Sequence, residues 1–292
     1  PQSFVNGNRE LSKRLFQYDA WQKAIHKFQW LLDKFNPPDW SISKGMIYYT
    51  HNQLDEKIAE PVRTRLLRIS QEKNISIISA SLKKMSFGKN VRFPSLRRGY
   101  FAMFKQILGA LENSNSDIIF FCEHDILYHP SHFDFVPADK NTFYYNQNVW
   151  FLRVDDGHCL HYDVNQLSGL CAYRHALITH FRERFELVES EYNKIVQQSK
   201  KEDIERDFNR FIRHMGFEPM THGRVKWKTT FKCESWKSES PNVDIRYDNS
   251  TGQRWDKEQF KNQQLLTGWE ESDSIPSWGS GKDIAESLMR AV

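Results

Sequence analysis

Chemistry is concentrated in the stretch Asp117-Ile118-Ile119-Phe120-Phe121-Cys122-Glu123-His124-Asp125. A continuous apolar run of this kind reads as a strand covered on both faces of a parallel sheet. It stops at two carboxylates and an imidazole, and the carboxyl ends of central strands are where open α/β sheets bind ligands. Glu123 and Asp125 are two positions apart, so in an extended segment their side chains share a face. There they could share a hard divalent cation, Mn2+ or Mg2+, whose remaining positions phosphate oxygens would complete. A pair of solvated charges closing a strand is the alternative reading. Upstream, Arg97-Arg98-Gly99-Tyr100 opens a helix, which puts two guanidinium groups at a helix N-terminus, a natural seat for phosphate. Downstream, Tyr128-His129-Pro130-Ser131-His132 crowds rings and ionisable groups against the motif, and Tyr128 and His132 are expected to wall the pocket on its acceptor side.

These residues need elements to hold them. Apolar positions at Leu15, Tyr18, Trp21, Ile25, Phe28, Leu31, Leu32 and Phe35 recur every three or four residues, the spacing of an amphipathic helix that Pro37-Pro38 ends. Residues 1–40 are therefore expected to form a helical N-terminal segment. A strand over 45–50, a helix over 55–71, a strand over 75–79 and a helix from 100 that ends near Asn113-Ser114-Asn115 form two β-loop-α units leading to the Glu-His-Asp strand. Residues 142–175 read as shorter, partly antiparallel strands, and helices follow over 174–198 and 202–215. The last 75 residues show little periodicity. This predicts an α/β fold, with a mixed sheet flanked by helices over 41–255 and an irregular C-terminal wrap over 256–292.

Composition narrows the class. The chain has 292 residues, 14% of them aromatic, with 41 Lys and Arg against 37 Asp and Glu. The aromatic content supports a packed core and excludes a disordered chain. A net charge of +4 permits an anionic partner without requiring one. Thirteen Gly argue against a glycine-rich phosphate loop and favour a metal ion as the means of holding a diphosphate. No apolar run is long enough to cross a membrane. The four Cys form no CxxC pair, so a reducing, cytoplasmic setting is expected.

Over roughly residues 44–255 the sequence resembles the GT-A (Rossmann-like) type of nucleotide-sugar-dependent glycosyltransferase, and the last part resembles a stretch of uncharacterised bacterial glycosyltransferases. Glu123-His124-Asp125 looks like a variant of that superfamily's Asp-x-Asp motif, which binds the metal and the donor diphosphate. The resemblance implies that Thr50-His51-Asn52 holds the base and ribose of the donor. It implies that Ser168-Gly169 lies on the acceptor side and that Asp203 or Glu202, about thirty residues on, is the catalytic base. It also implies a late His completing the metal site, with His222 ahead of His214. Pro241-Asn242-Val243-Asp244-Ile245-Arg246-Tyr247 resembles a family stretch that ends Asp-Ile-Arg-His, and Tyr247 stands in the place of that His.

The expected reaction is transfer of a sugar from a nucleoside diphosphate donor, a UDP-sugar being favoured, to an acceptor hydroxyl, with inversion. A glycan is the expected acceptor. Hydroxymethylated bases of DNA are a rival, because residues 83–98 and 224–237 interleave Lys and Arg with Phe and Trp. A metal-dependent phosphoesterase and a non-catalytic module stacking sugars or bases on its Trp residues are the readings from other classes.

Overall fold

The computed structural model describes residues 42–215, 231–247, 254–260 and 263–290. The helix expected over 1–40 lies outside the described residues. In chain order, β1 (Lys44–Thr50) leads through α1 (Glu56–Lys73) to β2 (Ser76–Ser81) and β3 (Lys89–Arg92), then through α2 (Tyr100–Asn113) to β4 (Ile118–Cys122). Five short strands follow: β5 (Ile126–Leu127), β6 (Thr142–Asn146), β7 (Val149–Arg153), β8 (Cys159–His161) and β9 (Leu170–Tyr173). Next come α3 (Arg174–Gln198), α4 (Ile204–Met215), β10 (Lys232–Trp236) and β11 (Asn242–Arg246). β12 (Glu270–Ser272), β13 (Ser274–Ile275), β14 (Gly279–Ser280) and α5 (Gly281–Arg290) complete the chain.

The main sheet has the order β10-β6-β9-β4-β1-β2-β3. Its β3-β2-β1-β4 half is parallel, while β9 runs antiparallel to both β4 and β6. The second sheet has the order β12-β8-β7-β11-β5. This is an α/β architecture with mixed sheets, and among the described residues no helix is long and apolar enough to cross a membrane.

Alternation along β1 explains the layering. Met46 and Tyr48 point to one face of the main sheet, where they pack with Val62 and Leu66 of α1 and with Trp150, Leu152, Val243 and Ile245 of the second sheet. Ile47 and Tyr49 point to the other face, onto Phe104 and Ile107 of α2 and Leu177 and Phe181 of α3. With both faces covered, β1 and β4 can be apolar throughout, as the run before Glu123 is.

The C-terminal segment departs from the expected irregular wrap. β12 adds an antiparallel strand to β8, β13 and β14 form a hairpin, and α5 packs on α1 with Leu288 and Ile275 buried in the core. Its polar composition hid these elements: β12 has no buried residue, and each strand after 256 is only two or three residues long. The Trp278 indole donates to Pro241 O at 2.7 Å, and the Arg65 guanidinium lies 4.2 Å from its ring, so the segment is tied to both α1 and the β11 approach.

Candidate functional site

The chain leaves β1 for β2 on one side and returns to β4 on the other, so order reverses between β1 and β4. At such a switch point the connecting loops part beyond the strand ends and leave a crevice. A cavity of about 600 Å³ lies there. Tyr49, Thr50 and His51 enter it from the end of β1, and Glu123, His124 and Asp125 from the end of β4. Arg98, Gly99 and Tyr100 enter from the start of α2 and Gln106 from its second turn, Glu205 and Asn209 from α4, and Tyr247 from beyond β11.

Glu123 and Asp125 do not lie on one extended segment as the spacing alone suggested. β4 ends at Cys122, and residues 124 and 125 form a turn into β5. The turn is held from beneath. Glu123 N donates to the Tyr128 hydroxyl at 3.0 Å, and that hydroxyl donates to Ser168 O at 3.1 Å. Ile245 N donates to Asp125 O at 2.9 Å, which fastens the turn to β11. The Tyr49 hydroxyl donates to Glu123 Oε1 at 2.5 Å.

Burial, and then the charge of Asp125, push the Glu123 carboxyl up to about 8. Burial raises Asp125 as well, against the pull of Arg246. Burial pushes Asp244 up to about 6, opposed by Arg246, which donates to Asp244 Oδ2 at 2.5 Å, and by Gln166, which donates to the same oxygen at 2.9 Å. Three carboxylates and one guanidinium thus share a region from which water is largely withdrawn.

The imidazoles are held neutral. Burial lowers His51 and His124 to about 4 each, with Arg98 adding to both. Their rings meet edge to face at 4.9 Å, and His124 Nδ1 lies 3.1 Å from Thr50 Oγ1. In the same cavity lining, the N-cap of α2 is Gly99, whose φ of +154° is one that side-chain-bearing residues rarely adopt. No side chain caps this helix end, and its dipole leaves partial positive charge beside Arg98 at the cavity.

The residues expected from sequence divide into two groups. Thr50, His51, Arg98, Glu123, His124 and Asp125 meet at the cavity. Asn52 does not: its Oδ1 accepts from Leu82 N and Lys83 N at 2.9 and 2.8 Å, so it clamps the loop after β2. Arg97 is exposed away from the cavity lining. The expected acceptor wall is a correction. Tyr128, His132, Ser168 and Gly169 are all buried beneath the site, where Tyr128 and Ser168 support the turn and Gly169 lies against the Asn146 backbone. His132 accepts from the Asn146 and Asn242 amides at 2.9 and 3.2 Å.

Glu202 and Asp203 are likewise off the cavity lining. Glu202 is exposed, and Asp203 pairs with Arg206 at 2.7 Å just before α4 begins. Glu205, two residues further, reaches the cavity instead. His222 lies outside the described residues, and His214 falls within α4. Tyr49, Gln106 and Asn209 were missed. Tyr49 reads as one more apolar strand residue, and only the sheet register carries its hydroxyl to Glu123. Gln106 donates to Thr50 O at 2.8 Å and Ala80 O at 3.2 Å, bridging the ends of β1 and β2.

Among the described residues no group of three or more His, Cys, Asp and Glu side chains is placed to hold a metal ion. Two carboxylates do line the cavity, both half-buried and both raised, and a hard cation with ligand oxygens would relieve that crowding. Glu123 and Asp125 are the residues here that could hold a divalent cation, with the rest of its oxygens coming from a bound ligand. Comparison with models of protein families and with curated proteins finds no match to this chain.

Proposed function

We propose that the protein is a GT-A-type glycosyltransferase that moves a sugar from a nucleoside diphosphate donor to an acceptor hydroxyl. One observation carries the reading: the Glu123-His124-Asp125 turn and the uncapped Arg98-Gly99-Tyr100 helix start line one cavity at the switch point of a mixed sheet. Acidic groups for a cation and a helix start for phosphate in one cavity are what a donor diphosphate needs. Glu123 and Asp125 are the residues that would hold Mn2+ or Mg2+, which when bound supplies positive charge at the leaving diphosphate. Arg98 and the α2 dipole add charge at the same group. Neutral His51 and His124 can each both donate and accept a hydrogen bond toward the nucleoside.

The base in this reading is Glu205, because it lines the cavity while Asp203 is engaged by Arg206. It takes the acceptor proton as the acceptor oxygen bonds to the anomeric carbon from the face opposite the diphosphate. The bond to the diphosphate breaks with its electron pair, and the configuration inverts. A UDP-sugar is the first donor to test. A thermal-shift screen of nucleoside diphosphates with and without Mn2+ should show stabilisation that needs both. Asp125→Asn should lose that synergy and at least ~100-fold in turnover. Glu205→Gln should keep it and lose about 100-fold or more in kcat. Full metal-dependent transfer by Asp125→Asn would overturn the reading, and normal turnover by Glu205→Gln would overturn the base.

A further inference from the structure

Between Glu72 and Glu112 the chain has no acidic residue, and Lys83, Lys84, Lys89, Arg92, Arg97 and Arg98 fall inside that interval. All six are exposed, and none forms an ion pair among the described residues. Exposed cations without a carboxylate partner also occur elsewhere, at Lys140, Lys200, Lys232 and Lys282, but there acidic residues stand close by in the chain, whereas this interval has none. The sheet register explains where the unpaired ones collect. Thr50 pairs with Ser81, and Ser81 with Arg92, so Arg92 sits two strand spacings, about 10 Å, from the cavity-lining Thr50. Lys83 and Lys84 follow the same end of β2, and Arg97 and Arg98 join the same end of β3 to α2. Five of the six thus lie at the carboxyl end of the sheet, in a strip from its β3 edge to the cavity mouth.

Charge on an edge strand also discourages pairing between sheets, which accounts for Lys89 and Arg92. It does not account for the four loop residues. Nor does the donor, since a nucleoside diphosphate sugar carries about two negative charges and Arg98 with a divalent cation would already meet them. Rings lie at the same mouth: His51, Tyr100 and Tyr247 line the cavity beside Arg98. A cationic track leading to aromatic side chains is the combination by which proteins hold single-stranded nucleic acid, phosphates on the cations and bases on the rings.

We infer that this strip docks a nucleic-acid strand and presents it to the cavity as the acceptor. The acceptor role rests on the glycosyl-transfer reading; the docking does not. The test is fluorescence anisotropy of a labelled 20-mer of deoxythymidine across 50–200 mM salt, with Lys83→Glu/Lys84→Glu/Arg92→Glu compared with Arg68→Glu/Lys194→Glu/Arg290→Glu, a control of equal net charge. The wild type and control should bind, with affinity falling steeply with salt. The strip variant should bind at least 10-fold more weakly, with a log–log salt slope shallower by about 2. UDP-dependent thermal shift should be the same in all three proteins. No binding of the oligonucleotide, or equal weakening in strip variant and control, overturns the proposal. So does tighter, strip-dependent binding of a carboxylated polysaccharide such as alginate. Loss of the UDP shift in the wild type with oligonucleotide binding intact would instead overturn the donor reading.

Discussion

Two tyrosine hydroxyls decide the behaviour of Glu123. Tyr128 holds its backbone, and Tyr49 donates to its carboxyl, which favours the ionised form against burial and the charge of Asp125. Removing the donor should therefore raise a carboxyl that already stands at about 8. Tyr49→Phe is expected to weaken Mn2+ binding at pH 7, where fewer molecules are ionised, and to recover toward wild type above pH 9. Mn2+ titration followed by tryptophan fluorescence at both pH values measures this, and a pH-independent defect would assign Tyr49 to packing alone. The need for a hydroxyl at this position was not legible in the sequence, where Tyr48 and Tyr49 look equivalent. Alternation separates them: Tyr48 enters the α1 core and Tyr49 the cavity side.

At the scale of elements, the start of α2 is the most specific device. A Cβ at Gly99 would meet nothing within 4 Å, so only its φ of +154° resists substitution. Gly99→Val should then cost about 1–3 kcal/mol in backbone strain. The helix start is expected to relax that strain by shifting rather than unfolding. The expected result is about 10-fold weaker UDP binding with a melting temperature changed by only a few degrees. A crystal structure or amide exchange confined to 97–103 would verify the cause. The helix itself was legible from Tyr100, Met103, Phe104, Ile107 and Leu111, and so was the cationic character of its start, which lines the cavity. α4 was legible as a helix too, but not its rotation about its own axis. Family spacing pointed to Glu202 and Asp203, whereas packing of Phe208 and Ile212 into the core turns Glu205 and Asn209 to the cavity.

At the scale of the molecule, His132 joins the parts. It accepts from Asn146 on β6 and Asn242 on β11, and stacks 5.6 Å from Trp236 on β10, so one neutral ring links the two sheets. Burial lowers it to about 3, while the unfolded chain takes up that proton near 6.5. Its contribution to stability is complete above pH 6.5 and is lost as pH falls from 6.5 toward 3. Urea midpoints should drop across that window, with His51 and His124 adding to the slope. His132→Phe should be less stable at pH 7, because two amides lose their acceptor, and should show an acid slope shallower by up to one proton, about 1.4 kcal/mol per pH unit. An unchanged slope would show that other groups carry the acid limb.

By itself the sequence determined the α/β order of strands and helices, the buried strand ending at Glu123-His124-Asp125, and the polarity of the α2 start. These are local matters: hydrophobic period, helix punctuation and the position of charge after an apolar run are written in neighbouring residues. The tertiary structure decided which of two tyrosines reaches Glu123 and which acid of α4 faces the cavity. It also decided that Tyr128, His132 and Ser168 support the site from below, and that the polar C-terminal segment completes a second sheet. Each depends on register or rotation between elements distant in the chain, set by how buried side chains fit together. The basic strip needed both: its residues fall between 83 and 98 in the sequence, but parallel pairing of β1, β2 and β3 is what gathers them at one end of the sheet.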